Sequence, residues 1–480
     1  MPNRYLEGWY APLAEEYTVT DLDVTGRIPD FLDGRYLRNG PNPIGDIDPE
    51  LYHWFVGDGM VHGLRLHDGK AEWYRNRWVR GPQTCRALGE PAPKGHFKIS
   101  TLSANTNVIG HAGTTLALIE AGLAQYELTD ELDTVGVCDF EGTLPGGFSA
   151  HPKRDPDTGE LHAVTYGMER GNTVQYSVIG VDGRARRTVD ITVSGSPMMH
   201  DFSLTKNHVI FYDLPVTFDA ALAAEIAVPR ALRLPARLML SALIGRVKLP
   251  DPIMERQSKP KDRDRRFFYK WNPTYPARVG VMPRDGGDAD VRWFDVEPCY
   301  VFHPMNAYDE GDTIVLDVVR HPKMFDTERL GPNEGRPTLD RWIVDLADGK
   351  VRESRIDDRG QEFPRVDERL VGKRHRYGYA PAVTDDFDGT DTLIKHDFGG
   401  AGTTTRSFGA GKMLGEFVFQ PRTADAAEDD GVLMGYIYDQ AADRSELAIL
   451  DAQTLQDVAT VKLPNRVPAG FHGNWVPTDQ

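Results

Sequence analysis

Gly431-Val-Leu-Met-Gly-Tyr-Ile-Tyr-Asp-Gln-Ala-Ala-Asp-Arg-Ser-Glu-Leu-Ala-Ile-Leu-Asp-Ala-Gln-Thr-Leu-Gln-Asp-Val-Ala-Thr-Val-Lys-Leu463 reads as three short strands in succession: Gly431–Tyr438, Glu446–Asp451 and Val458–Leu463. Each is an apolar run closed by polar turn residues, which is the signature of a strand bounded by a hairpin. The same texture recurs upstream at Thr173–Val181, His208–Val216, Thr313–Val319 and Arg341–Leu346. Asp-Gly pairs punctuate these runs at 68–69, 182–183, 285–286 and 348–349, and Asp-Gly tolerates the positive φ of tight hairpin turns. No alternation of strand and helix appears. The expectation is an all-β chain, either a sandwich or a propeller. A length of 480 residues favours a propeller forming a single domain over 1–480, because one sandwich needs fewer strands. No repeat of roughly 40–50 residues marks out the blades.

The composition is that of a globular protein, with 40% hydrophobic and 26% charged residues,. A formal net charge of −17 argues against a nucleic-acid partner, since phosphate binding calls for clustered Lys and Arg,. Three widely spaced cysteines, Cys85, Cys138 and Cys299, offer no disulfide or zinc framework and fit a reducing compartment,. The opening Met1-Pro-Asn-Arg-Tyr-Leu-Glu lacks the apolar stretch of a signal peptide,. No apolar run of about 20 residues occurs. The expectation is a cytoplasmic protein, with one segment suited to peripheral contact with a membrane.

That segment is 218–250, which breaks the β pattern. It carries Ala220-Ala-Leu-Ala-Ala-Glu-Ile and then Ala236-Arg-Leu-Met-Leu-Ser-Ala-Leu-Ile-Gly-Arg-Val-Lys-Leu. Leu238, Leu240, Leu243, Ile244 and Val247 fall on one helical face, with Arg237, Arg246 and Lys248 outside it. One or two short amphipathic helices are expected. Such a face packs on the sheet core or dips into a bilayer surface, and the pattern alone leaves both open.

The 14 histidines show no His-x-His or His-Glu-x-x-His spacing. Four of them sit in dense aromatic, glycine or proline surroundings at strand ends: His151, His200, His303 and His472. Strands radiating about one axis would bring one ligand from each of four blades to a common centre. Taken singly, each reads more readily as a core or turn histidine than as a ligand.

The motifs Gly34-Arg-Tyr-Leu-Arg-Asn-Gly-Pro-Asn-Pro, His53-Trp-Phe-Val-Gly-Asp-Gly-Met-Val-His-Gly, Asn105-Thr-Asn-Val, Leu116-Ala-Leu-Ile-Glu-Ala-Gly, Met199-His-Asp-Phe, Phe302-His-Pro-Met-Asn-Ala-Tyr, Glu362-Phe-Pro-Arg and Phe471-His-Gly-Asn-Trp-Val span nearly the whole chain. Together they resemble the carotenoid cleavage oxygenases. The resemblance implies a seven-bladed β-propeller with a lid of loops and short helices over its top face. It implies Fe(2+) on the axis, held by His151, His200, His303 and His472. Four neutral imidazoles leave the charge of the ion intact and coordination positions open. Their rings need acceptors behind them, and the resemblance maps these onto Glu120, Glu362 and Glu416. Thr106 matches a threonine beside the open metal position. Trp54 and Phe55 lie in the motif that lines the substrate tunnel of relatives, and Ile119, Phe302 and Phe471 join them as candidate substrate contacts.

The implied reaction is cleavage of one C=C bond of a carotenoid or apocarotenoid by O2 to give two carbonyl products, with tunnel shape selecting the bond. Stilbene-cleaving members hold the substrate phenol with a tyrosine and a lysine, the lysine just before the first glutamate. Ile119 occupies that position here, and the region of the tyrosine, near Gly95-His-Phe-Lys98, shows no clear match. This favours an apolar polyene over a stilbene-like small molecule. A retinoid-type isomerase would use the same four histidines, and a non-enzymatic propeller would need none of them.

Overall fold

A computed structural model of the chain describes residues 3–95, 103–144, 147–248, 266–400 and 402–478. Seven antiparallel sheets of three to six strands form the blades of a propeller, and an eighth, two-stranded ribbon stands apart from them. The burial of each strand follows its place in a blade. Gly34–Pro41 is buried along its whole length, and Tyr300–Glu310 is buried at all but its last two residues. Both faces of such strands are covered by neighbouring blades, so their sequences read as near-continuous runs. Ala185–Thr192 and Lys350–Asp357, at outer edges, alternate between covered and exposed positions, as a strand with one wet face does.

The ring is closed by both ends of the chain. Gly34–Pro41 pairs with Gly59–His67 on one side and with Gly473–Pro477 on the other. Val24–Gly26 pairs with Asp457–Lys462 in the last blade. First and last blades therefore each borrow a strand from the far end of the sequence, which leaves no gap in the ring. Their facing surfaces share one apolar cluster that includes Tyr36, Leu64, Tyr74, Met434 and Tyr436. The rings of Tyr36 and Tyr436 meet edge to face at 5.0 Å, a favoured aromatic geometry.

The strands expected from sequence are present with shifted ends, for example Thr173–Ile179, Thr313–His321 and Gly431–Asp439. The expected run His208–Val216 is instead two strands, His208–Asp213 and Val216–Phe218, in different sheets. The Asp-Gly turns are not uniform. Asp68 and Gly69 both have positive φ, whereas at 182–183 and 348–349 only the glycine does. The 285–286 turn has no positive φ and is held by the bond from Gly286 N to Pro283 O, 2.9 Å. The described cysteines are all free.

The segment 218–250 forms helices Ala220–Ala227 and Arg233–Leu243 up to its described limit at Lys248. It emerges from the fourth blade beside the ribbon Val216–Phe218 with Tyr269–Trp271. The second helix has no fully buried residue. Leu240, Leu243 and Ile244 are half-buried, whereas Leu234 and Leu238 are 66% and 64% exposed. No helix among the described residues is long and apolar enough to cross a membrane.

Candidate metal centre and substrate cavity

The four histidines come from four different blades. His472 immediately precedes the strand Gly473–Pro477, and His151 and His200 lie two residues before the strands Lys153–Arg154 and Phe202–Leu204. His303 lies inside Tyr300–Glu310, at a register shift between Val301 and Pro304. Such a bulge turns a side chain away from the regular pleat. Between 5% and 8% of each histidine is exposed. Ring-to-ring separations run from 4.4 Å for His151–His200 to 5.2 Å for His151–His303, and His472 packs 4.6 Å from His151 and 4.7 Å from His303. His151, His200 and His303 each place one nitrogen within 4.8 Å of the others.

Carboxylates stand behind these rings. His303 Nδ1 donates to Glu362 Oε2 at 2.6 Å, and His472 Nδ1 donates to Glu416 Oε1 at 3.0 Å. His200 Nδ1 lies 2.6 Å from Glu120 Oε1, out of line with its N–H direction. His151 Nε2 lies 3.2 Å from the same oxygen. Burial opposes ionisation of Glu120 and Glu362, but the adjacent histidines outweigh it and hold both carboxyls well below the usual carboxylate range. Burial pushes His151 and His472 far down, so these rings are neutral. Burial also acts against a charge on His303, yet Glu362 overcomes it and raises that imidazole.

The donor set fits a divalent cation. His200 Nε2 and His303 Nε2 face each other at 3.2 Å. In their neutral forms these imidazoles offer nitrogen lone pairs, and His151, His200, His303 and His472 would together hold the ion. The Arg365 guanidinium, 3.3 Å from Glu416 Oε1, offsets one of the three buried carboxylates. Imidazole donors without a directly ligating carboxylate suit iron, zinc, copper, nickel or cobalt and disfavour magnesium or calcium.

The histidines divide two cavities of opposite character. Trp54, Phe55, Ile119, Phe302 and Phe471, with Thr106, line an apolar cavity that also reaches Glu120, His200, His303 and His472. Phe55 meets Phe302 and Phe471 edge to face at 5.8 and 5.4 Å. Thr106 Oγ1 donates to Asn105 Oδ1 at 2.9 Å, which leaves the methyl as the branch free to face the cavity. The carbonyl of Thr106 accepts from His472 N at 3.0 Å, tying this residue to the centre. On the other side, Asn107, Lys153, Asp201, Asn306 and Arg365 line a polar cavity that reaches His151, His303 and His472. Lys98 lies outside the described residues.

Several participants escaped the sequence reading. Tyr166 lines the apolar cavity and donates to Glu120 Oε2 at 2.7 Å. His321 donates to Glu362 Oε1 at 3.0 Å. Phe267, Phe363 and Phe387 complete the aromatic wall. One signal was present for His321: like His151 and His303, it is followed by proline. Nothing local marks Tyr166.

The family described as Retinal pigment epithelial membrane protein matches residues 10–477. A "Carotenoid cleavage oxygenase" of Mycobacterium tuberculosis is 57% identical over 99% of this chain and 98% of that protein. Among solved structures, a lignostilbene dioxygenase from Pseudomonas brassicacearum superposes with a TM-score of 0.81 at 26% identity, covering 98% of both chains. An apocarotenoid oxygenase from Synechocystis superposes at 0.78 and 29%, also covering 98% of both. A cobalt-substituted form of it gives the same score and identity over 97% of both. A seven-bladed ring, a buried histidine cluster and full-length similarity to oxygenases converge on one assignment: this chain is an oxygenase of the carotenoid cleavage oxygenase family.

Proposed function

We propose that the chain is an Fe(II)-dependent dioxygenase that cleaves one C=C bond of a carotenoid or apocarotenoid into two carbonyl products, both oxygen atoms coming from one O2. The observation that carries this reading is the apolar, aromatic-walled cavity that opens onto the histidine cluster. Rings offer area and π surface to a polyene that has few hydrogen-bonding groups. Iron, when bound, supplies the redox chemistry that lets O2 react with an alkene. His151, His200, His303 and His472 would hold it, with Glu120, Glu362 and Glu416 fixing the rings. The chain's own contribution is position: the walls hold one double bond beside the centre, and the Thr106 methyl narrows the space next to it. Ile119 gives no cation or hydrogen bond to a phenol.

Incubation of the iron-loaded protein in air with β-carotene, an apocarotenal and resveratrol, separately, tests the reading by mass spectrometry. Aldehydes from the polyenes are expected, with label in both carbonyls under 18O2 when products are trapped by reduction. Cleavage of resveratrol alone would overturn the polyene assignment in favour of a phenylpropanoid, the reading that the likeness to the lignostilbene dioxygenase supports. Product without label would indicate an isomerase.

Peripheral membrane contact through 218–248 belongs to the same proposal, because a polyene substrate resides in lipid. Leu232, Leu234, Leu238 and Met239 are exposed together on this segment. It bears Arg230, Arg233, Arg237, Arg246 and Lys248 against Asp219 and Glu225, in a chain of net charge −17. Exposed leucines ringed by cations suit an anionic bilayer surface. Leu234→Ser combined with Leu238→Ser is expected to lower the vesicle-bound fraction at least about tenfold in flotation. An unchanged fraction would remove the membrane from the proposal.

A further inference from the structure

Each of the three carboxylates behind the histidines receives a further donor, and the three donors are of different chemical types. Glu120 takes the neutral Tyr166 hydroxyl, and Glu416 takes the Arg365 guanidinium. Glu362 takes the His321 imidazole: its Oε1 accepts from His321 Nε2 at 3.0 Å while its Oε2 accepts from His303 Nδ1 at 2.6 Å. The backbone N–H of Phe363 also bonds to Oε2. His321 ends the strand Thr313–His321 and pairs in register with Tyr300, on the strand that carries His303. It is 1% exposed, Glu362 is fully buried, and His321 lines neither cavity. The rings of Phe302 and Phe387 lie 5.1 and 5.9 Å from it.

We infer that His321 is a positioning residue for the metal centre: by bridging to Glu362 it fixes the plane of that carboxylate, and through it the direction in which His303 presents Nε2. The inference rests on the iron reading above. A buried carboxylate with one oxygen unpaired carries a large desolvation penalty. Without His321, Glu362 relieves that penalty by turning or by taking up a proton, and either change loosens the His303 ring.

Two substitutions separate this role from simple packing. His321→Phe keeps an aromatic ring and removes the donor; His321→Gln keeps a donor near the position of Nε2 and removes the ring. Apoprotein is titrated anaerobically with Fe(II) against a chromophoric chelator, and the visible absorption of the Co(II) form reports ligand geometry. The expected result is a 10- to 100-fold, on the order of magnitude typical of an outer partner, weaker Fe(II) affinity and an altered Co(II) band for His321→Phe. His321→Gln is expected to stay within about threefold of wild type and to keep its band. Wild-type affinity and band in His321→Phe, or equal impairment of both variants, would overturn the inference. If His321→Phe does not fold, His321→Leu takes its place. A wild-type chain that takes up neither metal would overturn the iron reading itself, and this inference with it.

Discussion

His200→Ala is expected to leave a folded chain that no longer holds iron. The substitution deletes one of three nitrogens that converge within 4.8 Å and leaves Glu120 with only His151 and Tyr166. Loss of an outer partner commonly costs 10- to 100-fold in metal affinity, so loss of a ligand is expected to exceed about 100-fold and to abolish cleavage with it. Metal analysis after dialysis against Fe(II) gives the result directly. His62→Ala is the control: His62 is equally buried, but its Nδ1 bonds the Tyr74 hydroxyl at 2.8 Å, far from the cluster in role. Iron should survive that change. Stoichiometric iron in His200→Ala would sink the ligand assignment.

Glu416→Ala is expected to be the most destabilising single change at the centre. Glu416 Oε1 receives His472 Nδ1 and faces Arg365, and Oε2 accepts from Gly473 N at 2.8 Å. Removing it strands the Arg365 charge, whose side chain is only 12% exposed, with the solvent-facing Glu368 as its remaining carboxylate. Breaking a buried pair by deleting one partner costs about 3–5 kcal/mol. It also frees the backbone N–H of Gly473, at the strand that closes the ring. Denaturant unfolding of the metal-free protein isolates this cost from any loss of bound iron. A change below about 1 kcal/mol would mean that Glu416 is dispensable to the fold.

Much of the architecture was legible because strand burial writes itself into sequence. Runs such as Gly431–Asp439 are apolar since both faces are covered, and the outer strands alternate since one face is wet. The number of blades was not legible from pattern, because each blade solves the packing problem with different residues and no repeat survives. The histidine cluster was invisible to local spacing for a topological reason: each histidine is delivered by a separate blade, so no two of them are close in sequence. Only motif resemblance joined them. The helix Arg233–Leu243 shows the limit of amphipathic patterns, which reveal an apolar face without saying whether it meets sheet, water or lipid. Tyr166, His321 and Arg365 act through a carboxylate, and one hydrogen bond leaves no periodic trace.

The exchange of strands between the chain's two ends has a consequence for how the protein is made. During synthesis the segment 472–477 is made after every other described strand, and it supplies both His472 and the last strand of the first blade. Ring closure and completion of the histidine cluster thus depend on one segment. A product truncated before it has an open first blade and an incomplete histidine cluster together.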